Sequence, residues 1–313
     1  MTLSDMFNDL FPLLMKTIWR NSIITLLTIF PAYALFGYAL LTFYGELIDS
    51  FPYSNMLKMV VYHPTDDFWY SMTMTALSVF VLIAGYVWAY VSSYHLVGKE
   101  MLGVRVSWQE AYRQGIGIKF VRAFGAMVII LSCALAFQLL PVSLIIFAAL
   151  ESNFLLLILG ILSLLPALVL SVYVIVPLYF SVNYIAVEEV RLLESLQRSW
   201  KLVRSYWWRT FGLLLLFGIL TSLAISSVLL PFQIIGGVAS MADVLFSTGN
   251  ITMQHGGDAL EAMRSVHMFS LFFLALNGML TNLCSSVYLT MIFIDLRVRK
   301  GEALENPEGY SVR

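Results

Sequence analysis

Charge is scarce in this sequence. Asp, Glu, Lys and Arg account for 12% of the residues, against roughly 25% in a water-soluble domain. Hydrophobic residues make up 60% and the mean hydropathy is +0.84. A soluble fold of 313 residues cannot hide that much apolar surface, so lipid is the expected solvent. Cysteine is scarcer still. Cys133 and Cys284 are the only two, and both lie inside apolar runs. That count excludes a disulfide scaffold and a cysteine-rich metal site and predicts two inert thiols. Neither sign of charge dominates, the net value being -1, so no broad basic surface for nucleic acid is expected. A glycine-rich phosphate loop, a Ser-His-Asp arrangement and a nucleic-acid module are also missing. No catalytic residue, cofactor site or metal site is predicted.

What the sequence does have is long apolar runs. Six are long enough to cross a bilayer, which takes about 20 residues each: Ile23–Tyr44, Phe68–Tyr94, Phe120–Leu140, Phe154–Val182, Phe211–Ile235 and Met268–Ile294. Apart from Arg122 at the entry to the third, they carry no Asp, Glu, Lys or Arg. Glu151, Ser152 and Asn153 mark a tight turn between the third and fourth. Asp5, Asp9 and the lack of a small-residue cleavage pattern predict a first span that is retained. The expected fold is all-α: one membrane domain over residues 1–313, a bundle of six transmembrane helices.

The basic residues are placed unevenly. Of the 18 Lys and Arg residues, only Lys58 and Arg264 fall on the side of the loops after spans one, three and five. The rest precede span one, fill the loops after spans two and four, or follow span six. By the positive-inside rule both termini are cytoplasmic. The opposite loops are acidic, with Glu46, Asp49, Asp66, Asp67, Glu151, Asp243, Asp258 and Glu261.

Each odd-numbered span follows an amphipathic segment, at about residues 4–20, 107–119 and 191–208. In the clearest, Leu192, Leu196, Trp200, Val203 and Trp207 form one stripe and Glu194, Gln197, Arg198, Lys201 and Arg204 the other. Such helices are expected in the membrane interface, the apolar side among acyl chains. Trp108, Tyr112 and Ile116 repeat the pattern, as do Phe7, Phe11, Leu14 and Ile18. Arg122, Phe124 and Gly125 open span three as Arg209, Phe211 and Gly212 open span five. Three repeated units of interfacial helix plus two spans are one reading; basic loop ends drifting into amphipathicity are the other.

Around Pro177, Glu188 or Glu189, Arg198-Ser199-Trp200 and Trp208-Arg209, the stretch from Pro177 to Leu215 resembles the glycerophosphodiester phosphodiesterase membrane-domain family. The end of the chain, with Asp295, Arg297, Arg299 and Lys300, is similar to that family's closing motif. The resemblance covers about 60 residues. It implies a six-span bundle of bacterial origin, expected in a bacterial inner membrane, and gives no reason to predict hydrolysis, because the phosphodiesterase chemistry belongs to a separate soluble domain without a counterpart in this sequence.

Several residues carry a functional reading beside a structural one. Arg198, Lys201 and Arg204 are candidates for anionic lipid headgroups. Asn277, Thr281 and Ser285 form a polar row in span six, next to Asn282, Ser286 and Thr290. This stripe is expected to face away from lipid, as interhelical hydrogen bonding or as the wall of a polar path. Gly85, Ala89 and Ser93 make a small-residue seam for close packing, within the chain or with a partner. Asp295 is expected to pair with Arg299 one turn on. His255, Asp258, Glu261 and His267 are residue types that ligate metals, but their spacing matches no metal motif. The absence of intramembrane charge counts against an ion-coupled transporter. Two functions fit: a non-catalytic scaffold, assembly factor or accessory subunit, or a conduit for a lipid or small hydrophobic molecule, with Pro166 and Pro177 in span four serving it. The expected partners are membrane lipids and, for a subunit, other membrane proteins.

Overall fold

The computed structural model describes residues 3–50, 66–248 and 256–302, with side chains over a slightly narrower set. Among the described residues there are nine helices and no strand: α1 (Leu3–Ser50), α2 (Asp66–Met101), α3 (Trp108–Gln114), α4 (Ile118–Leu150), α5 (Phe154–Leu178), α6 (Ser181–Glu188), α7 (Leu192–Arg204), α8 (Trp207–Thr248) and α9 (Gly256–Arg299). Six stretches are long and apolar enough to cross a membrane, in α1, α2, α4, α5–α6, α8 and α9. The chain is an all-α membrane protein with the expected six spanning helices. Lys58 and His255 lie outside the described residues, as do the side chains of Asp258, Glu261, Arg264 and His267.

Local chemistry sets the breaks. Ser107 caps α3, accepting from the Glu110 N–H at 3.2 Å. Asn153 caps α5 by accepting from Leu155 and Leu156 at 3.1 and 3.3 Å, directly after Ser152, whose φ is 50°. This is the tight turn read from Glu151–Asn153. Pro177 has no N–H to continue the ladder, and α5 stops at Leu178 before α6 restarts at Ser181. Glu189 ends α6 in the left-handed region, φ 63°.

Two expectations about the amphipathic segments change. Residues 4–20 do not form a separate interfacial helix; α1 runs unbroken into its span, because Arg20-Asn21-Ser22 offers no Gly or Pro to stop it. Trp108–Gln114 and Leu192–Arg204 are separate helices, so only the second and third of the proposed units share that layout. The inward face of α7 is also not left for acyl chains. Ser195, Leu196, Ser199, Leu202 and Val203 are buried in protein. The absent side chain of Gly125 makes room for Leu192, whose Cδ1 lies within clashing distance of where a Cβ would be.

The chain folds as two compact units. The first holds residues 1–21, 90–218 and 285–313. Within it α4 and α5 form a tight hairpin, with Gly160 against Ile145 and Gln138 donating to Ser171 at 3.4 Å. Its centre is aromatic: Phe180, Tyr184 and Phe293 are fully buried, with Tyr184 edge-on to Phe293 at 4.8 Å.

The second unit holds residues 22–89 and 219–284. Small residues let its helices touch. Gly85 of α2 lies against the Thr28 carbonyl and Ala32 of α1, and Gly278 of α9 against Tyr86 and Tyr33. The two tyrosine hydroxyls are hydrogen-bonded at 2.8 Å. Ile29, Tyr33, Ala89 and Ala275 form one buried cluster, and Ile225, Leu229 and Phe273 another.

Candidate functional site

The charged side chains of the first unit sit on residues that the apolar runs leave at their ends, and they pair across long sequence separations. Glu100, with a side chain 1% exposed, receives Lys16 at 2.8 Å and Arg20 at 2.7 Å. Arg20 also donates to the Val106 carbonyl at 2.7 Å, tying α1 to the loop after α2. Asp295, also 1% exposed, holds Arg209 and Arg299, each at 3.0 Å. The predicted Asp295–Arg299 pair is present, and Arg209 from α8 adds a third member. Lys119 is buried and reaches Glu189 at 2.7 Å, while Arg122 donates to the Glu189 carbonyl at 2.7 Å. Hydrogen bonding to the Lys119 ammonium holds the Glu189 carboxyl below its ordinary value of 4.5.

Glu188 is the hub of a neighbouring group. It pairs with Arg297, and with Arg198 at 3.1 Å. Arg198 also meets Glu194 at 2.6 Å, and Arg297 meets Glu302 at 3.2 Å. The Arg297 guanidinium lies over the Tyr184 and Phe293 rings, 5.9 and 5.5 Å from their centroids, where cation and ring attract. A cavity of about 820 Å³ opens here, lined by Lys99, Glu188, Glu194, Arg198, Arg297 and Glu302 among others. Its charges balance and most are already paired, which makes it a rigid seam more than a receptor for an ion.

The three headgroup candidates therefore part company. Arg198 is held by two carboxylates. Lys201 is exposed, and its carbonyl accepts from the Lys300 ammonium. Arg204 makes no ion pair among the described residues and lines a second cavity of about 550 Å³ with Val169, Tyr173, Ser205, Tyr206, Trp207, Trp208 and Arg209.

The polar row of α9 needs correction. Asn277 is exposed, Thr281 half-buried and Ser285 buried, so the three do not form one interior wall. The adjacent row is the interior one: Asn282, Ser286 and Thr290 are fully buried. In the second unit Asn282 donates to Thr25 at 3.0 Å. In the first, Asn21 donates to Ser286 at 2.8 Å. Polar partners on α1 decide which row turns inward.

Gly85, Ala89 and Ser93 are all buried, and Gly85 packs on α1 within its own unit. Cys133 and Cys284 are free thiols, half-buried. His95 is buried, its Nδ1–H donating to the Ala186 carbonyl at 3.0 Å.

Sequence reasoning missed Glu100 and Lys119 as anchors of this layer, and gave Asp295 no partner beyond Arg299. Part of the signal was present: Glu100 follows Lys99, Glu188 precedes Arg191, and Asp295 precedes Arg297 and Arg299, although none of these neighbours names the distant partner.

No curated protein and no solved structure matches the chain. One family model does, over residues 101–275, more than half of the sequence; the chain belongs to the family described as a domain of unknown function, DUF7847.

Proposed function

We propose that this chain is a non-catalytic integral membrane protein, a scaffold or accessory subunit that works by association within the bilayer. The observation that supports it is the use of the polar groups inside the spans. Asn282 with Thr25 and Asn21 with Ser286 are interhelical bonds, each worth on the order of 0.6 kcal/mol in a membrane. Both join helices. The buried charges at the helix ends are likewise paired with one another, the arrangement that fixes a packed structure.

In this reading the chain sits in a bacterial inner membrane with both termini cytoplasmic, as the distribution of Lys and Arg argues. The likeness of Pro177–Leu215 to the glycerophosphodiester phosphodiesterase membrane-domain family belongs to the same reading. A conduit for a lipid or small hydrophobic molecule is the second reading. It is favoured by an apolar cavity of about 380 Å³ in the second unit, lined by Phe30, Tyr33, Gly37, Tyr38, Leu271 and Ala275 among others.

The test is extraction from the native membrane in a lipid-retaining polymer, followed by mass measurement of the particle's protein content. A scaffold or subunit is expected to carry a second polypeptide at fixed stoichiometry. A particle holding only the 35.3 kDa chain sinks the proposal.

A further inference from the structure

The corner where α7 meets α8 is built like a lipid-headgroup seat. Arg204 and Ser205 end α7, Trp207 opens α8, and both line the second cavity beside Tyr173 and Val169 of α5. The cavity holds two cations, and only one is neutralised: Arg209 is bound to Asp295, while Arg204 has no carboxylate partner among the described residues. None of the residues lining the cavity is acidic. An anion is therefore the complementary guest.

The depth of the cavity fits a headgroup. From Phe154 to Tyr173 the helix rises about 28 Å, close to the roughly 30 Å hydrocarbon thickness of a bilayer. Trp207 stands at the opening of span five, and Tyr173, whose ring is 5.5 Å from it, shares its level. Tyr and Trp favour that level. Below it runs an exposed apolar stripe on α5: Ile158, Leu162, Leu165, Val169 and Tyr173, spaced by three and four residues so that they share one face. The stripe runs about 22 Å along α5 to the cavity mouth.

Trp207 offers no open face to a quaternary ammonium guest. Trp207 is stacked on Phe211 at 5.2 Å and tilted against Tyr173, so its faces are used by neighbours and do not form an open cage.

We infer that this corner binds one anionic phospholipid, with its phosphate on Arg204 and one acyl chain along the α5 stripe. Both a lipid and free phosphate carry the same anionic group; the stripe selects the lipid. The site goes beyond the scaffold reading and stands or falls independently of it.

Native mass spectrometry of the full chain in detergent tests this, titrating phosphatidylglycerol, phosphatidylcholine and inorganic phosphate separately. Phosphatidylglycerol is expected to bind more tightly than phosphatidylcholine, and phosphate is expected not to displace it. Arg204→Ala should weaken phosphatidylglycerol about tenfold, the loss of one charge-assisted contact. Arg204→Lys should recover most of that, and Arg191→Ala, at an exposed arginine outside the cavity, should have no effect. Arg204 is exposed, so an unchanged melting temperature is expected in both Arg204 variants. Equal binding of the two lipids, displacement by phosphate, or an Arg204→Ala variant that binds as the parent does would each overturn the inference. The lipid comparison on the parent chain decides the matter even if a variant fails to fold.

Discussion

Trp207 donates its indole N–H to the Tyr173 carbonyl at 3.3 Å, the acceptor that Pro177 leaves without a helical donor. Residue 177 is four positions beyond 173, and proline has no N–H to give. One turn of α5 is thus opened by sequence and closed by a side chain from the next spanning helix. Pro177 contributes again at its own carbonyl, which accepts from buried Ser199 of α7 at 2.5 Å.

This arrangement predicts a coupled pair. Trp207→Phe should destabilise the protein by about 1 kcal/mol, the net value of a lost hydrogen bond. In a Pro177→Ala background, where the backbone N–H of residue 177 can serve Tyr173, the same substitution should have little effect. A double-mutant cycle read by thermal unfolding in detergent measures the coupling; equal losses in both backgrounds would show that the indole bond does not replace the missing ladder bond.

Glu100 anchors α1 from a buried position. Glu100→Ala leaves the partly buried Arg20 without its carboxylate partner and should cost about 3 kcal/mol. Lys16→Ala removes a half-exposed partner and should cost under about 1 kcal/mol. Melting curves of the two variants give the ratio directly.

Gly278 is a steric requirement. A Cβ there would fall on the Tyr86 hydroxyl and approach the Tyr33 ring. Gly278→Ala should cost about 1–3 kcal/mol by overpacking. Tyr86→Phe should relieve part of that loss by removing the clashing oxygen, although it also removes the Tyr33–Tyr86 bond. A loss unchanged by Tyr86→Phe would place the strain elsewhere.

The Lys119–Glu189 pair gives a pH dependence of definite sign. The Glu189 carboxyl is held below 4.5, so the stability it contributes is whole above that value and fades as pH falls through the lowered one. Glu189 is 64% exposed, so the contribution is below about 1 kcal/mol. The melting-temperature gap between the parent and Glu189→Gln should be present at neutral pH and should narrow below pH 4.5. A gap constant down to the lowest pH measured would refute the assignment.

The spans were legible because each is a run of apolar residues about as long as a bilayer is thick. The Glu151–Asn153 turn and the α7 helix were legible from local chemistry, a capping asparagine and a regular amphipathic stripe. The charged layer was not. Glu100 with Arg20 and Asp295 with Arg209 join residues far apart in sequence, and no local pattern encodes those pairings. The row of α9 that turns inward was illegible for a related reason. Asn277–Thr281–Ser285 and Asn282–Ser286–Thr290 are adjacent on the helix, and Thr25 and Asn21 of α1 select between them. The break after Pro177 was hidden because apolar residues continue on both sides of it.

Proteoliposomes holding the purified chain and a fluorescent phospholipid test the central claim most directly. If the polar groups of the spans only join helices, reagent added outside should bleach the outer-leaflet fraction and then stop, as in protein-free vesicles. Rapid bleaching of the whole lipid pool, slowed by substitution at Asn282 or Thr25, would mean that those side chains line a route across the membrane.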